Sequence, residues 1–193
     1  MELNDKDYTL FVDFWRNLPR DSGNILPYRL AVNPSLIKRL LPYLFIFRAK
    51  AEMVLEVRLS GTALDTLSEQ PMTGRNYLDL CPESEKALYW HTLRLIREQP
   101  CGLMIVRDVM FPGGKINRLK SINFPMLDSD GLPTFVLGVT GSMRPSEMVH
   151  TNPSADRVSS ALLKMEVINI GAGAPEILAS GVDGIKGRLG SLS

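Results

Sequence analysis

Met53-Val54-Leu55-Glu56-Val57-Arg58-Leu59-Ser60-Gly61-Thr62 alternates its side chains with a period of two. Met53, Leu55, Val57 and Leu59 fall on one side, and Val54, Glu56, Arg58 and Ser60 on the other. Successive side chains of a strand point to opposite faces, so this is the pattern of a half-buried strand, ended by Gly61. The run before it, Tyr43 to Arg48, is apolar and of strand length. A turn near Ala49–Ala51 joins the two as a hairpin.

Downstream, Thr62 to Leu67 has room for one short helix, and a second short element lies around Asn76 to Leu80. Pro82 and Glu83 open a longer helix whose apolar arc is Leu88, Tyr89, Leu93, Leu95 and Ile96, and Pro100 stops it. Three further alternating runs follow. The first carries Leu103, Ile105, Val109 and Phe111, the second Ile122, Phe124 and Met126, and the third Phe135, Leu137 and Val139. Pro112-Gly113-Gly114 and Asp128-Ser129-Asp130-Gly131 are the turns between them. Turn-linked strands pair antiparallel, and helices inserted between the second and third strands must cover a face of the sheet.

Upstream, Tyr8, Phe11, Val12, Trp15 and Leu18 recur at helical spacing, with Asn4 or Asp5 as the cap and Pro19 as the stop. Phe11, Phe14 and Trp15 are too much aromatic surface for a free helix. Either the helix docks on its own domain, or these three residues form a dimer interface. Asn33-Pro34-Ser35 caps a second short helix, Leu36 to Leu41, closed by Pro42. The expected organisation is an N-terminal helical extension over residues 1–41, an α+β domain over 42–144, and a tail over 145–193. That tail holds six of the fifteen glycines and no aromatic residue. Ser159 to Ile170 has the length of a helix or a strand, and Gly171 to Ser193 reads as flexible.

Composition narrows the function. A formal net charge of +1 over 193 residues lacks the basic excess that binding nucleic acid demands. The N-terminus has no signal-peptide pattern, and no stretch approaches the ~18–20 apolar residues that span a bilayer. Cys81 and Cys101 are too few for a disulfide framework and read as reduced thiols, so a cytoplasmic protein is expected.

The order of elements resembles the PAS superfamily, a five-stranded antiparallel sheet whose inserted helices wall a small cavity. It is most similar to a bacterial, largely alphaproteobacterial, family of stand-alone PAS-like proteins. Phe14-Trp15 in the first helix, Leu40-Leu41-Pro42 ahead of the first strand, Arg58-Leu59-Ser60-Gly61-Thr62 after the second, and then Leu64 and Thr73-Gly74 carry that resemblance over residues 8–144. It implies a sensory or protein-interaction module that dimerises through N-terminal helices and relays to another protein. With 49 residues after Arg144 leaving no room for an output domain, the relay is expected to act in trans, on an unidentified signalling partner.

Candidate chemistry is sparse. His91 occupies the element that bears the haem ligand in haem-binding PAS relatives, but it lies just outside the apolar arc. Light-sensing relatives form a flavin–cysteine adduct within an Asn-Cys-Arg-Phe-Leu-Gln type run, whereas this chain has Asp79-Leu80-Cys81-Pro82-Glu83. Nucleophilic catalysis lacks a Gly-x-Ser-x-Gly elbow, and His150 falls in the tail. Gly171-Ala172-Gly173 lacks the rest of a nucleotide loop. Arg16-x-x-x-Arg20 lacks the second half of a cyclic-dinucleotide motif and reads as a helix end. Asp128 and Asp130 belong to a turn. Pocket candidates are the strand residues Leu55, Val57, Ile105, Ile122, Phe124 and Leu137, with Met72, Met104, Met110 and Met126 as adaptable walls. Nothing polar converges on that set, and a packed core is preferred. The expectation is thus an α+β, PAS-like, non-enzymatic homodimer with no cofactor and no metal. A sensor of a small apolar ligand or haem, and a small enzyme, are the alternatives.

Overall fold

The computed structural model describes residues 2–110, 116–143, 159–173 and 175. Helix α1 spans Asp5–Arg16; a single 3-10 turn follows at Arg29–Ala31, and a ten-residue 3-10 segment kinked at Ile37 at Pro34–Tyr43. Strands β1 (Leu44–Ala51) and β2 (Val54–Ser60) form the predicted hairpin, with Met53 in the left-handed region at the turn. Next come α2 (Thr62–Leu67), a 3-10 turn at Tyr77–Leu80, and the long helix α3 (Glu83–Glu98). Strands β3 (Gly102–Met110), β4 (Ile116–Met126), β5 (Phe135–Met143) and β6 (Ser159–Ile168) complete the fold. The sheet is antiparallel throughout, in the order β2-β1-β5-β4-β3-β6.

The expected five-stranded unit is therefore present, with a sixth strand on its β3 edge. β6 falls inside the segment read as a tail. Its apolar residues left helix and strand both open because Arg107 pairs with Leu162 while Val106 pairs with Lys164, leaving Leu163 as an unpaired, exposed bulge. The bulge resets the alternation, so the buried residues are Leu162 and Met165, three apart, which is as good a helical spacing as a strand spacing. Phe111, the Pro112-Gly113-Gly114 turn, His150 and residues 176–193 lie outside the described residues.

Two apolar clusters lie on opposite faces of the sheet. On one face, α2, the Tyr77–Leu80 turn and α3 cover Phe45, Phe47, Leu55, Val57, Leu103 and Ile105. On the other, α1 and the Pro34–Tyr43 segment cover Ile46, Ile122, Phe124, Met126, Leu137 and Val139. Asn4 caps α1 in a reciprocal box: its side chain accepts from the Asp7 amide at 3.2 Å, and the Asp7 carboxylate accepts from the Asn4 amide at 3.0 Å. At the other end, the Arg20 guanidinium donates to the carbonyls of Trp15 and Arg16 in the last turn and of Leu18 just beyond it. It also stacks over the Trp15 ring at 4.7 Å. That is the work of the Arg16-x-x-x-Arg20 pair: a helix end, with Arg20 bonded to the backbone rather than solvated.

Phe11, Phe14 and Trp15 are buried in their own chain, at 0%, 8% and 1% exposure. Rings held that deeply are not available to a second copy. The dimer-interface candidates are thus corrected to intramolecular packing. The aromatic load that called for a partner finds one in Phe124, with Phe11 tilted against its ring and Trp15 stacked on it.

Candidate functional site: a cavity with a buried arginine

Between the sheet and the helices of the first face lies a cavity of about 430 Å³. This corrects the preference for a packed core. Its floor is built by strand alternation: Phe45 and Phe47 from β1, Ile105, Arg107 and Val109 from β3, and Leu119, Ser121 and Asn123 from β4. Thr140 of β5 and Ser160 of β6 complete it. The walls come from Leu64 and Leu67 of α2, from Met72, Tyr77 and Cys81, and from Tyr89 and Leu93 of α3. Asp79 and Glu83 stand exposed at the rim.

The polar centre is Arg107. Its Nη1 donates to the Tyr89 hydroxyl at 2.7 Å and its Nη2 to the Tyr77 hydroxyl at 2.9 Å. The guanidinium carbon sits 5.1 Å from the centre of the Tyr89 ring, which adds a cation–π contact. Burial pushes both phenols above their ordinary range, and Tyr77 most strongly, so both hydroxyls keep their protons at neutral pH. Among the described residues no carboxylate lies within ion-pair distance of Arg107, although Asp108 beside it pairs with Arg118 at 2.7 Å on the other side of the strand.

Cys81 also faces the cavity. Its thiol donates to the Tyr77 carbonyl at 3.5 Å, and burial pushes its pKa up to about 11. A protonated thiol is a poor nucleophile, so the residue contributes soft wall rather than reactivity. Cys101 is fully buried beneath the sheet, with its pKa likewise raised by burial to about 11.

The sequence-derived pocket residues divide between the two faces. Ile105 lines the cavity; Leu55 and Val57 belong to the same cluster but lie under its wall, fully buried. Ile122, Phe124 and Leu137 belong to the opposite face and pack beneath α1. Of the four methionines proposed as walls, Met72 lines the cavity, whereas Met104 and Met126 pack on the α1 side. His91, in α3, is not among the lining residues. The physical reason for the split is that both faces of the sheet are covered. Apolarity then no longer distinguishes the cavity side, and on β4 the cavity side is the less apolar one: Leu119, Ser121 and Asn123 against Ile122 and Phe124. Arg107 itself was visible: it shares the parity of Leu103, Ile105 and Val109, a charge placed on the inward row of a strand. Among the described residues no group of three or more His, Cys, Asp or Glu is placed to hold a metal, and no helix is long and apolar enough to cross a membrane.

The architecture is an α+β domain with a cavity between its sheet and the helices of one face. A family model described as a PAS domain matches residues 4–140, and the chain belongs to that family. The match takes in α1, strands β1 to β4 and most of β5, and leaves β6 outside it. Solved structures similar in fold include a light-oxygen-voltage domain studied with a flavin analogue, 20% identical, with a TM-score of 0.44, covering 56% of this chain and 84% of that one. VqmA from Vibrio cholerae is 16% identical with a TM-score of 0.47, over 58% of this chain and 52% of that chain, so the likeness spans about half of VqmA's length. A Rhodobacter sphaeroides LOV protein is 14% identical with a TM-score of 0.43, over 75% and 70% of the two chains. No curated protein sequence matches the chain.

Proposed function

We propose that this chain is a ligand-binding PAS sensor that takes a small, largely apolar molecule into its cavity and reports occupancy to a separate bacterial signalling protein, without catalysing a reaction. The single observation that carries this reading is the cavity itself. Its volume of about 430 Å³ lies within the ~300–1,000 Å³ typical of small-molecule sites, where a packed core leaves few voids larger than a water.

The route of the report runs through β6. This strand pairs along the whole of β3, the strand that presents Arg107, and contributes Ser160 to the cavity floor. Its Leu162 and Met165 are buried in the cluster around the cavity. A ligand that shifts Arg107 therefore presses on the pairing of the edge strand. We place the protein in the cytoplasm, among regulators of the alphaproteobacterial kind, and keep a homodimer in the proposal. The dimer contact is then a surface other than Phe11, Phe14 and Trp15.

Catalysis is the weaker reading because the polar centre pairs no nucleophile with a base: burial keeps the Cys81 thiol protonated, Arg107 can only donate, and both phenols keep their protons. Native mass spectrometry and an absorbance spectrum of the purified full chain test the proposal. A bound organic mass that is released on unfolding is the expected result. A Soret or flavin band would replace the apolar ligand with a cofactor, and failure of any molecule to stabilise the protein across a broad metabolite screen would overturn the sensor reading.

A further inference from the structure

The donor arrangement inside the cavity narrows the ligand class, on the reading that the cavity is a ligand site. Guanidinium has five N–H donors and no acceptor, and two of those donors are used on Tyr77 and Tyr89. Each phenol accepts from Arg107 through its oxygen and keeps an O–H of its own, with Ser160 beside the Tyr89 hydroxyl and Cys81 beside Tyr77. Three converging groups therefore present N–H and O–H donors polarised by a positive charge, while the neutral acceptors of the lining, Ser121, Asn123 and Thr140, come from β4 and β5.

The charge balance points the same way. Arg107 is the one basic residue in the lining, and its charge has no carboxylate partner among the described residues. A half-buried charge in a largely apolar enclosure without a counter-ion is costly, and a partner that brings one negative charge lowers the cost. The acids nearby do not pair with Arg107. Glu83 pairs with Lys86 at 2.7 Å, and Asp79 accepts from Asn76 at 3.3 Å, both at the exposed rim. Glu85 lies outside the lining and makes no ion pair with Arg107, although its charge reaches Tyr89 and Cys81 and its buried Oε2 has no hydrogen-bond partner. Around the donors the walls are Phe45, Phe47, Leu64, Leu93 and Ile105, which recognise hydrocarbon.

We propose that the cavity binds a monocarboxylate with an aromatic or aliphatic body, its carboxylate held by Arg107, Tyr77 and Tyr89. One positive charge matches one negative charge. A phosphate dianion would carry an unpaired charge into the same apolar enclosure, so the carboxylate is the better fit.

Calorimetric titration of the full chain with two isosteric pairs tests this: 3-phenylpropionate against 3-phenylpropanamide, and decanoate against decanamide. The carboxylates are expected to bind about tenfold to a hundredfold more tightly than their amides, the value of hydrogen bonds to a charged group. Arg107→Met should bring that ratio close to one while the amides keep their affinity. Tyr77→Phe/Tyr89→Phe, which keeps the ring volumes, should lower the ratio in the same direction, and it carries the test if Arg107→Met does not fold. Amides that bind as well as acids, or a ratio unchanged in both variants, would overturn the carboxylate assignment and leave the ligand site standing. Binding by none of the four would overturn the ligand-site reading itself, and the assignment with it.

Discussion

Trp15 lies almost flat on Phe124, with ring centroids 4.5 Å apart and planes inclined by 16°. One ring comes from the first helix and the other from the fourth strand, 109 residues later. This contact seals the face of the sheet away from the cavity, and makes α1 part of the domain core rather than an appendage. Trp15→Ala is expected to cost about 3–5 kcal/mol of stability by denaturant unfolding. Sedimentation should show the same assembly state as the wild type at protein concentrations where both are folded. A shift to monomer without loss of stability would return Trp15 to an interface.

Gly61 explains why two separated motifs occur together. A β-carbon at this position would collide with the backbone carbonyls of Leu41 and Pro42, while the Gly61 amide donates to the Leu44 carbonyl at 2.8 Å. The Gly-Thr step after β2 and the Leu-Leu-Pro run before β1 are thus two sides of one close backbone approach. Gly61→Ala should destabilise by about 1–3 kcal/mol or more, since backbone atoms cannot give way as a flexible side chain can. A thermal melt of the variant unchanged from wild type would show that the approach is looser than the structure has it.

Asp128 organises the turn between β4 and β5. Its carboxylate accepts from the amides of Asp130 and Leu132 at 3.0 and 2.9 Å and from the Thr134 hydroxyl at 2.9 Å. Burial by itself would raise its pKa; those hydrogen bonds and the Arg48 charge outweigh it, and the value falls below the ordinary 3.8. A depressed carboxyl pKa stabilises the fold at pH above 3.8, and that contribution is lost as pH falls through the lowered value. Asp128→Ala is expected to cost about 1–3 kcal/mol at pH 7, and less as acid unfolding is approached. Equal losses at pH 7 and at pH 3 would contradict this.

The thiols should be slow. With pKa values near 11, Cys81 and Cys101 hold little thiolate at neutral pH. In the native protein at pH 7.5, a thiol reagent should label Cys101 only on unfolding and Cys81 at a rate well below that of a free thiol. A carboxylate probe bound in the cavity should slow Cys81 further. Fast labelling of either would show a more open or more polar setting than the one described.

Removing β6 exposes the β3 edge and uncovers Leu162 and Met165 from the cluster around the cavity. A chain ending at Met143 should lose about 3–6 kcal/mol, from two buried side chains at ~1.5–3 kcal/mol each. It should also self-associate more readily, as an unpaired edge strand does. An equally stable, monomeric truncation would show that β6 is dispensable to the fold.

Much of the fold was legible because its signals are local. The alternation of Leu55 and Val57, the stop at Pro100, the turn at Asp128–Gly131 and the cap at Asn33 each follow from a few neighbouring residues. β6 was less legible, since the bulge at Leu163 gave Leu162 and Met165 a spacing shared by strands and helices.

By itself the sequence determined the order of the elements, the antiparallel pairing and the need of α1 for a partner, all of which depend on periodicity and turn chemistry. Only the tertiary structure decided which face holds the cavity. Ile122, Phe124 and Leu137 are as apolar as any cavity wall, but they serve the other side, because α1 covers it. Arg107, Tyr77 and Tyr89 come from β3, a 3-10 turn and α3, and their hydrogen bonds exist only once those elements are stacked. A periodic pattern says which residues share a face; what lies across from that face is set by packing between distant segments.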